Sequence, residues 1–241
     1  MTRLLNPNDP NVVMLELVAR RLGADLCDRF AFVGGAVAGL LITDPANPSI
    51  RPTEDVDIVA EVLALSGYHR IEKTLRERGF AQDMSADAPI CRWKVDGVTV
   101  DVMPTLETIL GFANRWYPLC VATAAPLALP SGTVIRVIQA PVFIGTKLEA
   151  FHGRGGGDYL FSHDLGDIIS VVDGRDSLVK DCEQMPAARS GPRSPPASPL
   201  HPQLQKQPGQ HKQRPHQQIL QVFKKRGLFA FDVVADELEN P

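Results

Sequence analysis

Between residues 184 and 218 the chain carries eight prolines, eight glutamines, five basic residues and no acidic one. This stretch limits what the rest can fold into. Its prolines interrupt helix and sheet hydrogen bonding alike, and it offers almost no aliphatic bulk beyond Leu200 and Leu204. It cannot build a core, so a fold has to come from residues 1–183, followed by a tail at 219–241 with room for a short helix and strand. Three readings of the segment stand: a disordered linker, an out-of-frame translation, or a basic arm that attracts nucleic-acid phosphates. The charge divides at the same place. Residues 1–183 hold 17 basic and 24 acidic residues, so the overall net charge of −3 averages an acidic domain with a basic segment.

The 44% apolar content is enough for a sizeable core. No run approaches the roughly 18 apolar residues of a membrane span, and Met1-Thr2-Arg3 leads into polar, Pro-containing sequence rather than a signal-peptide core. The expectation is a cytoplasmic protein with no membrane partner. Cys27, Cys91, Cys120 and Cys182 form no CxxC pair and are too sparse for a disulfide framework, which predicts buried, reduced thiols.

Along residues 1–183 the periodicity predicts a helix over 11–29, capped by Asn11, with Val12, Leu15, Val18, Ala19 and Leu22 on one apolar face. Phe30-Ala31-Phe32-Val33 reads as a short buried strand closed by Gly34-Gly35, after which a helix restarts over 36–42. A turn-rich loop at 44–49 precedes a strand at 55–59 and a helix at 67–79. Asp96-Gly97 between two β-rich runs signals a hairpin, and a second strand pair surrounds Pro130-Ser131-Gly132. Helical periods follow over 141–151, 160–172 and 176–183, with 152–159 a flexible connector. Mixed elements first and helices last predict an α+β or α/β core over 1–139 and a helical C-terminal subdomain over 140–183.

The chemistry is concentrated in Arg51-Pro52-Thr53-Glu54-Asp55-Val56-Asp57-Ile58. Side chains alternate along a strand, so Asp55 and Asp57 share one face while Val56 and Ile58 enter the core. Two carboxylates ~7 Å apart along a strand can bracket divalent cations, and oxygen ligands of this kind suit Mg²⁺. Asp101 is the natural third ligand. It lies in the apolar run Val98-Thr99-Val100-Asp101-Val102-Met103, where a carboxylate requires water, a partner or a metal. Gly34-Gly35, between a strand and a helix, lets backbone N–H groups approach a phosphate, although a plain strand–helix turn has the same signature.

The order of these segments resembles the DNA-polymerase-β-like nucleotidyltransferases: Phe32-Val33-Gly34-Gly35, then Arg51-x-Thr53-x-Asp55-Val56-Asp57, then Val100-Asp101-Val102. Lys147-Leu148-Glu149-Ala150-Phe151 with His163-Asp164-Leu165-Gly166-Asp167-Ile168 further resembles the C-terminal motif of the AbiEii/AbiGii-type branch, which includes toxins of bacterial toxin–antitoxin systems. The resemblance covers roughly residues 12–183. It implies an α+β fold with a mixed sheet and transfer of a nucleoside monophosphate from an NTP to an acceptor hydroxyl on tRNA, a protein or a small molecule. It also implies that Asp55, Asp57 and Asp101 hold two Mg²⁺ ions, and that Asp101 receives the acceptor's proton. Gly34, Gly35 and Thr53 would bind the nucleotide, and Arg51 would either reach a phosphate with them or pair with an acidic side chain. Lys147 would give the phosphates a positive charge, and Asp164 would orient Lys147 or the acceptor. A cognate antitoxin is the partner such a toxin would have.

Two positions depart from the family pattern. Ala36 stands where a Ser or Thr usually follows Gly-Gly, and His163 where an Arg commonly precedes the Asp. Ala36 and the aberrant C-terminal sequence support a second reading, a degenerate or truncated nucleotide-binding protein without catalysis, and His163 weakens the electrostatics implied around Asp164. An Asp-based phosphohydrolase is disfavoured, because Arg51-Pro52-Thr53-Glu54 rather than a hydrophobic strand precedes Asp55. Gly145-Thr146-Lys147 lacks the glycine spacing of a phosphate-binding loop. Trp93, Trp116 and Tyr117 read as packing residues rather than base-stacking platforms.

Overall fold

Phe30–Val33 forms a strand, β1, and all four of its residues are buried. An unbroken apolar run without polar alternation is what a strand covered on both faces requires. In this computed structural model, which describes residues 5–46, 50–154 and 162–185, β1 sits inside a seven-stranded sheet. Residues 186–241, with almost all of the Pro/Gln-rich segment, lie outside the described residues, as do 155–161 of the glycine-rich connector.

The chain begins with helix α1 (Pro10–Arg29), β1, a 3-10 turn (Gly35–Val37) and the short helix α2 (Ala38–Leu41). β2 (Asp55–Ala60), α3 (Leu65–Glu77), β3 (Ala81–Gln82), β4 (Arg92–Val95) and β5 (Val98–Pro104) follow. Then come α4 (Glu107–Leu110), α5 (Tyr117–Thr123), β6 (Ala125–Ala128), β7 (Val134–Val137) and the helices α6 (Ala140–Arg154), α7 (His163–Gly174) and α8 (Leu178–Gln184). The strand order is β3-β4-β5-β2-β1-β7-β6. β2 with β5 and β1 with β7 are parallel and the other four pairings antiparallel, so the fold is α+β with a mixed sheet.

α1 is not capped by Asn11. Asp9 is the cap, accepting hydrogen bonds from the Asn11 and Val12 backbone N–H groups, and Pro10 takes the first helical position, where a missing N–H costs nothing. The predicted apolar stripe is otherwise as observed, with Val12, Leu15, Val18, Ala19 and Leu22 all buried. The helix expected at 36–42 is split into the 3-10 turn and α2, and the one expected to begin at Gly67 begins at Leu65. α6 continues to Arg154, into what the glycines suggested was connector.

α1 packs along β1, β2, β5 and β7, and α5 lies on β1 and β2. α6 rests against α5, α7 and α8, and α7 also meets α2. Met103, on the same face of β5 as Asp101, accepts a hydrogen bond from the Tyr117 hydroxyl, so α5 partly covers the carboxylate-bearing face. Among the described residues no helix is long and apolar enough to cross a membrane.

Candidate functional site

β1 and β2 pair with Val33 opposite Asp57, and β2 and β5 pair with Asp57 opposite Asp101. The chain leaves β1 at Gly34 directly beside the Asp57 carboxylate. Gly34 has φ +70° and ψ −166°, a region open almost only to glycine, and a Cβ there would fall on the Asp57 carboxylate. This close approach, not simple turn-making, is why the first glycine is needed. Gly35 is confined by packing alone, since a Cβ on it would come within 2.6 Å of the Thr53 methyl group.

Asp55, Asp57 and Asp101 each bring a carboxylate oxygen within 4.8 Å of the others. Asp101 is buried, while Asp55 and Asp57 are half-buried. Three hard oxygen donors projecting from one sheet face suit a divalent cation such as Mg²⁺, which keeps some of its waters, and the missing Cβ of Gly34 leaves the Asp57 carboxylate its place. The sequence-predicted triad is therefore brought together.

Asp101 also has a partner within the chain. Arg92, opposite it across the β4–β5 hairpin, donates through Nε to Oδ1 at 2.9 Å and through a terminal nitrogen to Oδ2 at 2.7 Å. The same nitrogen is 3.8 Å from Asp55. The Asp101 hydrogen bonds hold the guanidinium far above its ordinary pKa against the cost of burial. Asp55 is pushed above the usual carboxylate value by burial first and by the Asp101 charge second, with Arg92 and Lys147 opposing.

Lys147 reaches the site from α6. Its ammonium lies 3.0 Å from Asp164 and 2.7 Å from Asp167, both on α7. Burial pulls its pKa down, but the two carboxylates outweigh burial and raise it, so the amine stays charged. Asp167 is 2% exposed and also lies 3.6 Å from the Arg51 guanidinium, so one buried carboxylate links the two cations. Arg51 and Thr53 are fixed by the first turn of α1, about 40 residues earlier in the chain. The buried Asn11 side chain donates to the Arg51 carbonyl at 3.1 Å and accepts from the Thr53 N–H at 2.9 Å. The Thr53 hydroxyl is taken up by Asn11 and the Asp55 carbonyl.

Two clefts meet at this cluster, and Asp57, Arg92, Asp101, Lys147 and Asp164 line both. One, of about 780 Å³, continues past Gly35, Arg51, Thr53, Asp55 and His163 and is mainly polar. The other, of about 480 Å³, continues past Gly34 to a wall of Met103, Phe112 and Tyr117. Trp93 and Trp116 are buried as packing residues, whereas Tyr117 lines this second cleft. All four cysteines are buried and free. Cys91 lines the second cleft, but burial and the Asp101 charge push its thiol up to about 12, which leaves it un-ionised at neutral pH.

Each candidate site residue read from the sequence lines one or both of these clefts. Three more belong with them: Arg92 and Asn11, which the sequence did not mark as site residues, and Asp167, which stood in the C-terminal motif without a role. Counting outward from the two-residue Asp96-Gly97 turn places Arg92 opposite Asp101, and Asp167 is three residues beyond Asp164 on the same helical face, so both had a signal in the sequence. Asn11 had none, because its role depends on a contact 40 residues away.

No family model and no curated protein matches the chain. Among solved structures, the crystal structure of ANT(2")-Ia in complex with adenylyl-2"-tobramycin is similar to it at 12% identity and a TM-score of 0.40. The match covers 67% of this chain and 87% of that one. A likeness at that level carries no functional inference.

Proposed function

We propose that the protein is a Mg²⁺-dependent nucleotidyltransferase of the polymerase-β-like kind, moving a nucleoside monophosphate from an NTP to an acceptor hydroxyl. The observation that carries this reading is the meeting of Asp55, Asp57 and Asp101 within 4.8 Å at the junction of two clefts, with the Lys147 ammonium lining both. A transferase for two substrates needs a reacting centre reached from two sides. The polar cleft suits the triphosphate, because Arg51, Lys147 and the Gly35 backbone lie along it. The cleft walled by Phe112 and Tyr117 suits the acceptor.

Asp55, Asp57 and Asp101 would hold the ions. Bound Mg²⁺ supplies charge neutralisation at the α-phosphate and lowers the pKa of the acceptor hydroxyl. Lys147, kept charged by Asp164 and Asp167, offers a fixed cation to the phosphates. The acceptor oxygen bonds to the α-phosphorus, its proton passes to Asp101, and the bond to the β-phosphate oxygen breaks with the electron pair leaving on pyrophosphate. Asn11 keeps Arg51 and Thr53 in place throughout.

The resemblance of the Lys147 and His163–Asp164 segments to the AbiEii-type branch supports a cytoplasmic toxin whose acceptor is tRNA or protein and whose partner is an antitoxin. Arg92 on Asp101 favours one alternative, a nucleotide-binding protein that does not turn over. Incubation with each labelled NTP, Mg²⁺ and candidate acceptors tests the main reading. Transfer by the wild type that Asp57→Ala abolishes is expected; absence of transfer, or transfer unchanged in that variant, overturns it. Tight binding of Mg²⁺–NTP in calorimetry without turnover selects the alternative.

A further inference from the structure

A cluster of three carboxylates repels itself, and in this fold the chain supplies its own cation to it. Arg92 occupies both oxygens of Asp101 through a two-pronged contact, and its terminal nitrogen also lies 3.8 Å from Asp55. That nitrogen therefore sits between two of the three groups offered to a metal. The pairing is fixed by the backbone, because the Asp96-Gly97 hairpin sets β4 against β5 with Arg92 facing Asp101. A guanidinium fork matches a carboxylate in a way that a single ammonium does not. An ion held by Asp55 and Asp101 would need oxygen lone pairs within about 2.1 Å. It would also meet the repulsion of a permanent positive charge at the same oxygens.

We propose that Arg92 is an internal counter-ion that competes with the divalent cation for Asp101, so that the site fills with metal only as the Arg92–Asp101 pair opens. This rests on the metal reading above and adds to it a residue that sets the ion affinity. Arg92 stabilises the ion-free arrangement of the triad, and the free energy of that pair is subtracted from metal binding. Lysine at this position keeps the charge but loses the fork, so it holds Asp101 less firmly.

The test is Mn²⁺ titration of the full-length protein, followed by electron paramagnetic resonance of the free ion. The proteins compared are the wild type, Arg92→Gln and Arg92→Lys, each with and without Asp101→Asn. Arg92→Gln should bind Mn²⁺ more tightly than wild type by roughly 5- to 150-fold, the usual range of coupling between two interacting binding events. Arg92→Lys should fall between, and Asp101→Asn should erase the difference. Equal or weaker binding by Arg92→Gln overturns the proposal while leaving the metal site standing, since Arg92 would then hold Asp101 in position for the ion. Absence of Mn²⁺ binding by wild type and Arg92→Gln alike overturns the metal reading itself. Should the variants not fold, the wild type still decides. The Arg92 side-chain Nε–H nuclear magnetic resonance signal should shift as Mg²⁺ saturates the site, and a signal that stays in place at saturation overturns the proposal.

Discussion

Asp55 binds its proton more tightly in the folded protein than in the unfolded chain, because burial and the Asp101 charge disfavour its ionised form. The consequence for stability has a definite sign. Above the raised folded pKa the ionised carboxylate works against folding, and this penalty disappears as pH falls to the unfolded value of 3.8. Asp55→Asn should therefore be more stable than wild type at pH 7. The side chain is 36% exposed, so solvent screening limits the gain to at most about 1 kcal/mol. Urea unfolding at pH 7 and at pH 4 checks this: the gap should narrow on acidification, and a variant less stable at pH 7 contradicts it. The same substitution should abolish metal binding, a cost of stability for function. Gly34→Ala is expected to fail twice. The backbone conformation at Gly34 costs a non-glycine residue about 1–3 kcal/mol, and the new methyl group displaces the Asp57 carboxylate. A displacement of that kind should lower transfer by about 100-fold or more. Asp57→Asn should lose transfer with folding intact, and comparing the two variants separates backbone strain from lost chemistry.

At the scale of elements, the first turn of α1 and the approach to β2 act as one unit through Asn11. Asn11→Ala leaves the Arg51 carbonyl and the Thr53 N–H short of a buried partner, which should cost about 1–3 kcal/mol in urea unfolding. It should also raise KM for the NTP more than it lowers kcat, since it loosens Arg51 and Thr53 rather than the triad. A fall in kcat with KM unchanged would instead tie Asn11 to the reacting centre. That coupling marks the limit of what can be read along a chain. The face shared by Asp55 and Asp57 follows from a period of two, and the Asp101 strand follows from the Asp96-Gly97 turn. The parallel pairing that sets Asp57 against Asp101 spans 44 positions and a helix, and no local pattern encodes it. Arg92 and Asp167 were legible in principle, one by counting from a hairpin turn and the other by helical spacing. Their importance emerged only once their partners were known to share a cleft. The departure at Ala36 has a structural counterpart, since that methyl group is 1% exposed and packed in the core, where a hydroxyl would have needed a partner.

For the molecule as a whole, the described residues form a core that runs from Leu15 in α1 to Cys182 in α8. β1 is covered on both faces and α8 is seated on α6, so the main core is closed by elements ending at Gln184, although Leu63, Met84 and Ile90 stay exposed elsewhere. Residues 184–218 have the composition of a chain that contributes no core, with eight prolines and scarcely an aliphatic side chain, and they separate α8 from the more apolar stretch 219–241. A protein ending at residue 185 should therefore unfold in urea with the midpoint of the full chain, within about 0.5 kcal/mol. Its m-value should be the same as well, because m follows the surface exposed on unfolding. Its Mn²⁺ affinity should also match, since Asp55, Asp57, Asp101 and Arg92 all lie on β2, β4 and β5. A loss above about 1 kcal/mol, or a smaller m-value, would show that residues 186–241 supply packing and would place the boundary of the folded unit beyond α8. If stability holds but affinity for RNA falls, and falls less at high salt, the five basic residues of 184–218 act as an electrostatic arm. If both hold, the segment is a linker or a translated accident, and resequencing the locus for an apolar helical pattern in another frame separates these two.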